Sequence, residues 1–165
     1  MSTVNIRSGV KSDLPRVLEL IKELAVFEKA LDQVSNTVER MAEDGFGSNP
    51  IYGFFVAERE SVIVGLSLYY YRYSTWKGKR LYLEDIIVTE KERGKGIGKL
   101  LFEHTMEFAV GQNCTGMMWQ VLHWNEPAIN FYKKYDAKLD EEWINGHLEA
   151  KQIENFLKGK FHLSS

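Results

Sequence analysis

The chain has little that would tie it to an oxidising compartment, a membrane or a polyanion. Cys114 is its only cysteine among 165 residues, so no intrachain disulfide can form and no thiolate-rich zinc site exists. A reducing, cytoplasmic home is the expectation that follows. No apolar run approaches the ~18 residues needed to span a bilayer. The longest, Val62 to Tyr71, is broken by Gly65 and Ser67 and reads as a buried strand. The opening residues, MSTVNIRSGVKSD, lack the apolar stretch of a signal peptide. Charge of either sign is not in excess: 21 basic residues face 23 acidic ones, a formal net charge of −2. The basic surplus of a general nucleic-acid binder is therefore missing. The histidines at positions 104, 123, 147 and 162 show no H-x-x-x-H spacing, so no metal is expected. His104 reads as a packed helix residue and Cys114 as a small packed one. Linkers, repeats and low-complexity tracts are absent too, which predicts a single domain over residues 1–165.

What is present suits a packed core. The 44% hydrophobic and 13% aromatic content argues against disorder. Val4 to Arg7 alternates like a short strand. Ser12 or Asp13 offers an N-cap, with Pro15 tolerated in the first turn. Leu14, Val17, Leu18, Ile21, Leu24 and Ala25 then recur at helical spacing, so the first helix runs to about Glu28. Asn36 followed by Glu39 predicts a second, short helix ending near Gly45, before a Gly/Asn/Pro loop. Tyr52–Glu58 and Val62–Tyr73 form a hairpin pattern around Arg59-Glu60-Ser61. Leu81–Val88 predicts a further strand, Gly96–Val110 a helix, and Thr115–Leu122 another strand. A short helix opens at Glu126-Pro127 and ends near Tyr135. Weaker strand patterns follow at Leu139–Trp143 and His147–Ile153, and the polar tail from Asn155 predicts a frayed end or a short helix. The fold class is α/β (α+β), with a mixed, mostly antiparallel central sheet flanked by helices.

One segment carries a chemical signal. Arg93-Gly94-Lys95-Gly96-Ile97-Gly98 lies between a strand and a helix. Glycines let a backbone approach an anion closely, and helix N-terminal amides point at it. Arg93 and Lys95 add positive charge. The spacing is neither that of a P-loop nor G-x-G-x-x-G. A flexible turn capping the helix is the plainer alternative.

Arg93-x-x-Gly96-x-Gly98 resembles the pyrophosphate loop of the GCN5-related N-acetyltransferases, and the element order resembles that fold. Leu81-Tyr82-Leu83-Glu84-Asp85, Trp124-Asn125-Glu126-Pro127 and Asn130-Phe131-Tyr132-Lys133 resemble segments of the diamine acetyltransferases, the spermidine/spermine and thialysine enzymes. Ile21–Ala25 and Glu43–Gly47 are similar as well. The resemblance covers the chain from Ile6 to about Trp143.

It implies an acetyl-CoA-dependent transfer to the primary amine of a polyamine, diamine or thialysine-like acceptor, in a homodimer. The loop Arg93, Gly94, Lys95, Gly96, Ile97, Gly98 and Lys99 would hold the pyrophosphate of acetyl-CoA. Backbone groups at Ile86, Ile87 and Val88 would meet its pantetheine arm, and Asn125, Glu126, Pro127, Ala128 and Tyr132 its other side. The amine would lie near Phe27, Glu28, Glu84, Met118, Trp119, Gln120 and a late acidic residue, Glu141 or Glu142.

Such a transfer needs a base, because an alkyl ammonium of pKa ~10.4 is no nucleophile. It also needs an acid for the departing thiolate. Glu84 is the candidate base, acting through water, and Tyr132 the candidate acid, since a phenol stays protonated until needed. In a regular strand Glu84 and Asp85 face opposite sides, and a bulge would change that. An ordinary exposed pair is the alternative for these carboxylates, and a packed aromatic is the alternative for Tyr132. The tyrosines at 69, 70, 71 and 73 read as strand residues packing at a sheet face or a subunit contact. Three departures stand out: Phe27 replaces a tyrosine, Ser74 an acidic residue of the polyamine enzymes, and Asp136 a glycine. A protein lysine or N-terminal acetyltransferase, and a non-catalytic acyl-CoA-binding module, are the competing functions.

Overall fold

A computed structural model describes residues 2–162. Contacts divide the chain into two compact units, Met1–Gln120 and Val121–Ser165, and each is described by itself.

The first unit is built on a five-stranded sheet in chain order, β1 (Asn5–Ser8), β2 (Gly53–Arg59), β3 (Val62–Ser74), β4 (Gly78–Val88) and β5 (Met117–Trp119). Neighbours are antiparallel except β4 and β5, which run parallel. Helix α1 (Leu14–Phe27) and helix α2 (Val38–Phe46) cover one face, and helix α3 (Ile97–Gly111) covers the other. The alternation of β2 shows why. Phe54 and Val56 join Leu14, Val17, Leu18, Leu20 and Met41 in one core cluster, while Phe55 and Ala57 join Ile97 and Leu101 in a second. Each side of the strand is buried against a helix, as a central strand requires. A buried Ser67 hydroxyl meets Thr105 at 2.6 Å and so fixes α3 to β3.

Local signals acted at slightly different residues from those expected. Asp13 does not cap α1 with its side chain. Its carboxylate instead accepts from Arg7 at 2.8 and 2.9 Å, which ties β1 to the helix start and holds the acid below its ordinary pKa. Thr37, not Asn36, caps α2 by accepting from the Arg40 amide at 3.1 Å. The β2–β3 turn places Glu60 and Ser61 at φ 52° and 62°, the positive values a tight two-residue hairpin turn needs. Strand β4 begins at Gly78 rather than Leu81, because the hairpin with β3 continues to the pair Ser74–Gly78. The Ser74 hydroxyl accepts from the Lys77 amide at 3.1 Å and closes that turn.

Two irregularities of β4 shape the site. Asp85 pairs with Leu68 but Leu83 pairs with Tyr69, so Glu84 is the extra residue of a bulge. Pairing with β5 stops at Leu83–Trp119. From Glu84 to Val88, β4 therefore has no strand partner on its β5 side among the described residues.

The second unit contains α4 (Glu126–Lys133) and α5 (Ala150–His162). The Asn125 side chain caps α4 by accepting from the Ala128 amide at 3.4 Å, and Pro127 sits in the first turn. Asp136 ends this stretch at φ 55°, a left-handed position that aspartate tolerates better than most residues. The strands expected at Leu139–Trp143 and His147–Ile153 do not form. The first segment is irregular, and the second runs into α5. Both patterns came from apolar residues that are exposed here, Trp143, Ile144 and Leu148, so alternation had no sheet face to act on. The tail forms α5 as far as His162, and the expectation for Leu163 to Ser165 lies outside the described residues.

Candidate active site

The glycine loop has the geometry of an anion cradle. Gly94 and Gly96 sit at φ 75° and 82°, a region where a side chain is strained. Gly96 is the N-cap of α3, and the buried Ile97 side chain pins the first turn. The first amide to find a helical acceptor is Leu100, bonded to the Gly96 carbonyl at 3.1 Å. Among the described residues, the amides from Gly94 to Lys99 donate to no protein group. The space over Gly94 and Gly96 is open to 4 Å. Successive free N–H groups at a helix N-terminus favour negative charge.

Cations flank the cradle, held by carboxylates. Arg93 donates through Nε to the Val88 carbonyl at 3.0 Å, faces Glu23 at 3.8 Å, and lies over the Phe27 ring at 5.6 Å. Glu23 itself accepts from the Thr89 hydroxyl at 3.0 Å and the Glu90 amide at 2.8 Å. Lys95 pairs with Glu92 at 3.0 Å, and Glu92 in turn pairs with Arg59 of β2. Lys99 reaches Glu103 at 4.0 Å.

The second feature is a group of carboxylates on the α1 face of β4. The bulge turns Glu84 toward that face, where it accepts from the Tyr70 hydroxyl at 3.2 Å. Glu84 is exposed, whereas Asp85 is partly buried. Burial pushes the Asp85 carboxyl up to about 7, with further rises from Glu84 and then Glu28. Burial also raises Glu28, one residue beyond α1. A carboxyl raised toward neutrality beside two others is suited to exchanging protons or holding a cation.

The remaining expected residues are placed as follows. Ile86 and Val88 pack toward α3, and Ile87 lies in the α1 core, so only their backbone groups are available to a ligand. Met118 pairs across the strands with Tyr82, and the Trp119 ring meets Phe102 edge-on at 5.4 Å. Gln120 follows the end of β5 and is exposed. In the second unit Tyr132 is buried, with the Phe131 ring edge-on at 5.4 Å. Asn125, Pro127 and Ala128 form the first turn of α4 with the exposed Glu126. Glu141 and Glu142 are exposed in the irregular segment. His104 packs edge-on against Phe55 at 4.5 Å.

Sequence reasoning undervalued two residues. Tyr70 packs its ring on Tyr82 at 5.1 Å, as expected of a strand residue at a sheet face, and its hydroxyl also donates to Glu84. Its alternation with Leu66 and Leu68 was the available signal. Glu23 sat inside a helical pattern, and no spacing linked it to a loop 67 residues away.

These features define a fold with a parallel strand pair that ends at Leu83–Trp119, a helix start with free amides and an acidic patch on the same sheet. Residues 18–136 match the Acetyltransferase (GNAT) family. The chain is 38% identical over 164 residues to thialysine N-epsilon-acetyltransferase of Mus musculus, covering 93% of this chain and 96% of that one. It is 36% identical to the human spermidine/spermine N(1)-acetyltransferase-like protein 1, over 87% of this chain but 22% of that longer protein. An integron cassette protein from the mobile metagenome of V. cholerae has the same fold, at a TM-score of 0.76 and 24% identity over 96% and 99% of the two chains.

The chain belongs to the GNAT family of acetyltransferases. It is an acetyl-CoA-dependent N-acetyltransferase acting on an amine. The open loop, its free amides and the unpaired edge of β4 fit the pyrophosphate and amide-rich arm of that cofactor.

Proposed function

We propose that this enzyme acetylates the primary amine of a small polyamine, diamine or thialysine-like acceptor, with Glu84 as water-mediated base and Tyr132 as general acid. The observation that carries this reading is the β4 bulge, which sets the exposed Glu84 beside Asp85, a carboxyl that also feels Glu28. An acidic patch concentrates a cationic acceptor and takes up its proton. The names of the thialysine and spermidine/spermine relatives support the same class of acceptor.

Acetyl-CoA supplies an activated acetyl thioester when bound. The loop from Arg93 to Lys99 would hold its diphosphate, and backbone groups at Ile86, Ile87 and Val88 would meet its arm; the family resemblance assigns Asn125, Glu126, Pro127 and Ala128 to the cofactor as well. Phe27, Glu28, Met118, Trp119 and Gln120 line the amine side. Glu84 accepts the ammonium proton through a water, freeing the nitrogen lone pair. Formation of the C–N bond would break the C–S bond, and Tyr132 would give its hydroxyl proton to the departing sulfur. The second proton shed by the nitrogen as the amide forms would leave to water, from which the phenol would be restored. Asp85 and Glu28 hold the acceptor's charge close to Glu84.

The family resemblance also supports a homodimer in the cytoplasm. No helix of the described residues is long and apolar enough to cross a membrane. Thiol release from acetyl-CoA, measured with spermidine, putrescine, thialysine and lysine, tests the reading. Acceptor-dependent turnover is the expected result. Turnover on a peptide alone would replace it with a protein acetyltransferase. CoA binding without any turnover would leave a binding module.

A further inference from the structure

The α1 face of the β3–β4 hairpin continues beyond the acidic patch as a ladder of side chains. Tyr70 donates to Glu84 at 3.2 Å, the Tyr70 and Tyr82 rings lie 5.1 Å apart, and the Arg72 guanidinium sits 5.6 Å over the Tyr82 ring. The register explains the alignment, because Tyr70 pairs with Tyr82 and Arg72 with Arg80 on adjacent strands. We propose that Arg72 is a specificity-determining residue that receives a carboxylate carried by the acceptor at a distance from its reacting amine. The proposal rests on the small-amine reading above and narrows its acceptor to an amino acid with a side-chain amine.

The charge layout supports it. Glu28, Glu84 and Asp85 gather negative charge at one end of the ladder. Arg72 puts a cation at the other, and both ends act on the tyrosines between them. Burial and Glu84 raise the Tyr70 hydroxyl to about 12, while Arg72 pulls against that rise. The Tyr82 hydroxyl feels the same opposed pair.

Two other strand cations of the hairpin are engaged elsewhere. Arg80 donates to the Thr115 carbonyl at 3.1 Å, and Lys79 lies 5.4 Å over the Tyr71 ring. Arg72 is exposed and has no ion pair among the described residues. A guanidinium stacked on an aromatic ring keeps its N–H fork free for a carboxylate. A polycation laid along the ladder would bring its second charge to Arg72 and be repelled. An acceptor with an ammonium at one end and a carboxylate at the other matches both ends.

The test compares acceptors that differ only by the carboxylate: L-lysine against cadaverine, L-ornithine against putrescine, and thialysine against its decarboxylated diamine. The readout is the ratio of kcat/KM for amino acid over diamine, in the wild type, Arg72→Met and Arg72→Glu. Each ratio is internal to one protein, so loss of folded enzyme does not distort it. The wild type is expected to favour the amino acid about tenfold or more, as for a charge-assisted hydrogen bond. Arg72→Met should lose most of that preference through KM at unchanged kcat, and Arg72→Glu should reverse it. Turnover with the same ratio in all three proteins would overturn the assignment of Arg72 alone. No turnover with any of these amines would overturn the small-amine reading and the proposal with it.

Discussion

At Asp85, burial and two neighbouring carboxylates act in the same direction, against ionisation. The folded-state pKa of about 7 lies above the ordinary value of 3.8. The folded protein therefore holds this proton through a pH range where the unfolded chain has lost it. Stability falls as pH rises from about 4 to about 7 and stays lower above that. Asp85→Asn removes the penalty. Its thermal midpoint should exceed that of the wild type at pH 8, by the equivalent of roughly 2 kcal/mol, with the difference closing below pH 4. An equal midpoint at pH 8 would show that the carboxylate is satisfied when ionised.

On the proposed role of the patch, activity should move the other way, because a charge that would hold the ammonium is lost. Tyr132→Phe isolates the proposed acid. It keeps the ring but removes the proton, so kcat should fall by about 10²-fold or more. Circular dichroism and the KM for acetyl-CoA should show little change. Unchanged kcat would leave Tyr132 a packing residue.

The elements show which features were legible in the sequence. Periodicity reveals α1 and α3 because their apolar residues face a sheet, and the β2–β3 hairpin is legible because the short polar segment Arg59-Glu60-Ser61 separates two β-rich runs. The glycine loop is legible because Gly94 and Gly96 need positive φ. The bulge at Glu84 could not. It is a mismatch between two strands, and neither strand carries a local mark of it. Leu139–Trp143 misled because alternation implies a strand only where a sheet edge accepts it.

The long-range tie from α1 to the cofactor loop was equally hidden. Glu23 fixes Thr89 and Glu90 and faces Arg93, while Phe27, one turn on, lies under the same guanidinium. The helix thus positions the loop from a distance. Glu23→Gln, which loses charge but keeps shape, should raise the KM for acetyl-CoA about three- to tenfold at nearly unchanged kcat. An unaffected KM would mean that the loop holds its form without α1.

For the whole molecule, the missing charge excess takes on a different sense. In the proposed reading, the balance of 21 against 23 combines a basic loop for an anionic cofactor with an acidic patch for a cationic amine. Each field acts locally and is screened beyond about 10 Å at ordinary ionic strength. Raising salt should therefore raise the KM for a charged acceptor more than for an uncharged monoamine, in steady-state assays at 50 and 500 mM salt. Light scattering addresses assembly, and a homodimer requires twice the 19.1 kDa chain mass.

The most direct test of the account is thiol release from acetyl-CoA with a small primary amine, in the wild type and in Glu84→Gln. The account predicts acceptor-dependent release by the wild type and a fall of about 10²-fold in kcat/KM for the variant near neutral pH. Part of that loss should return as pH rises and the free amine no longer needs a base. Release by the variant equal to the wild type at every pH would contradict it.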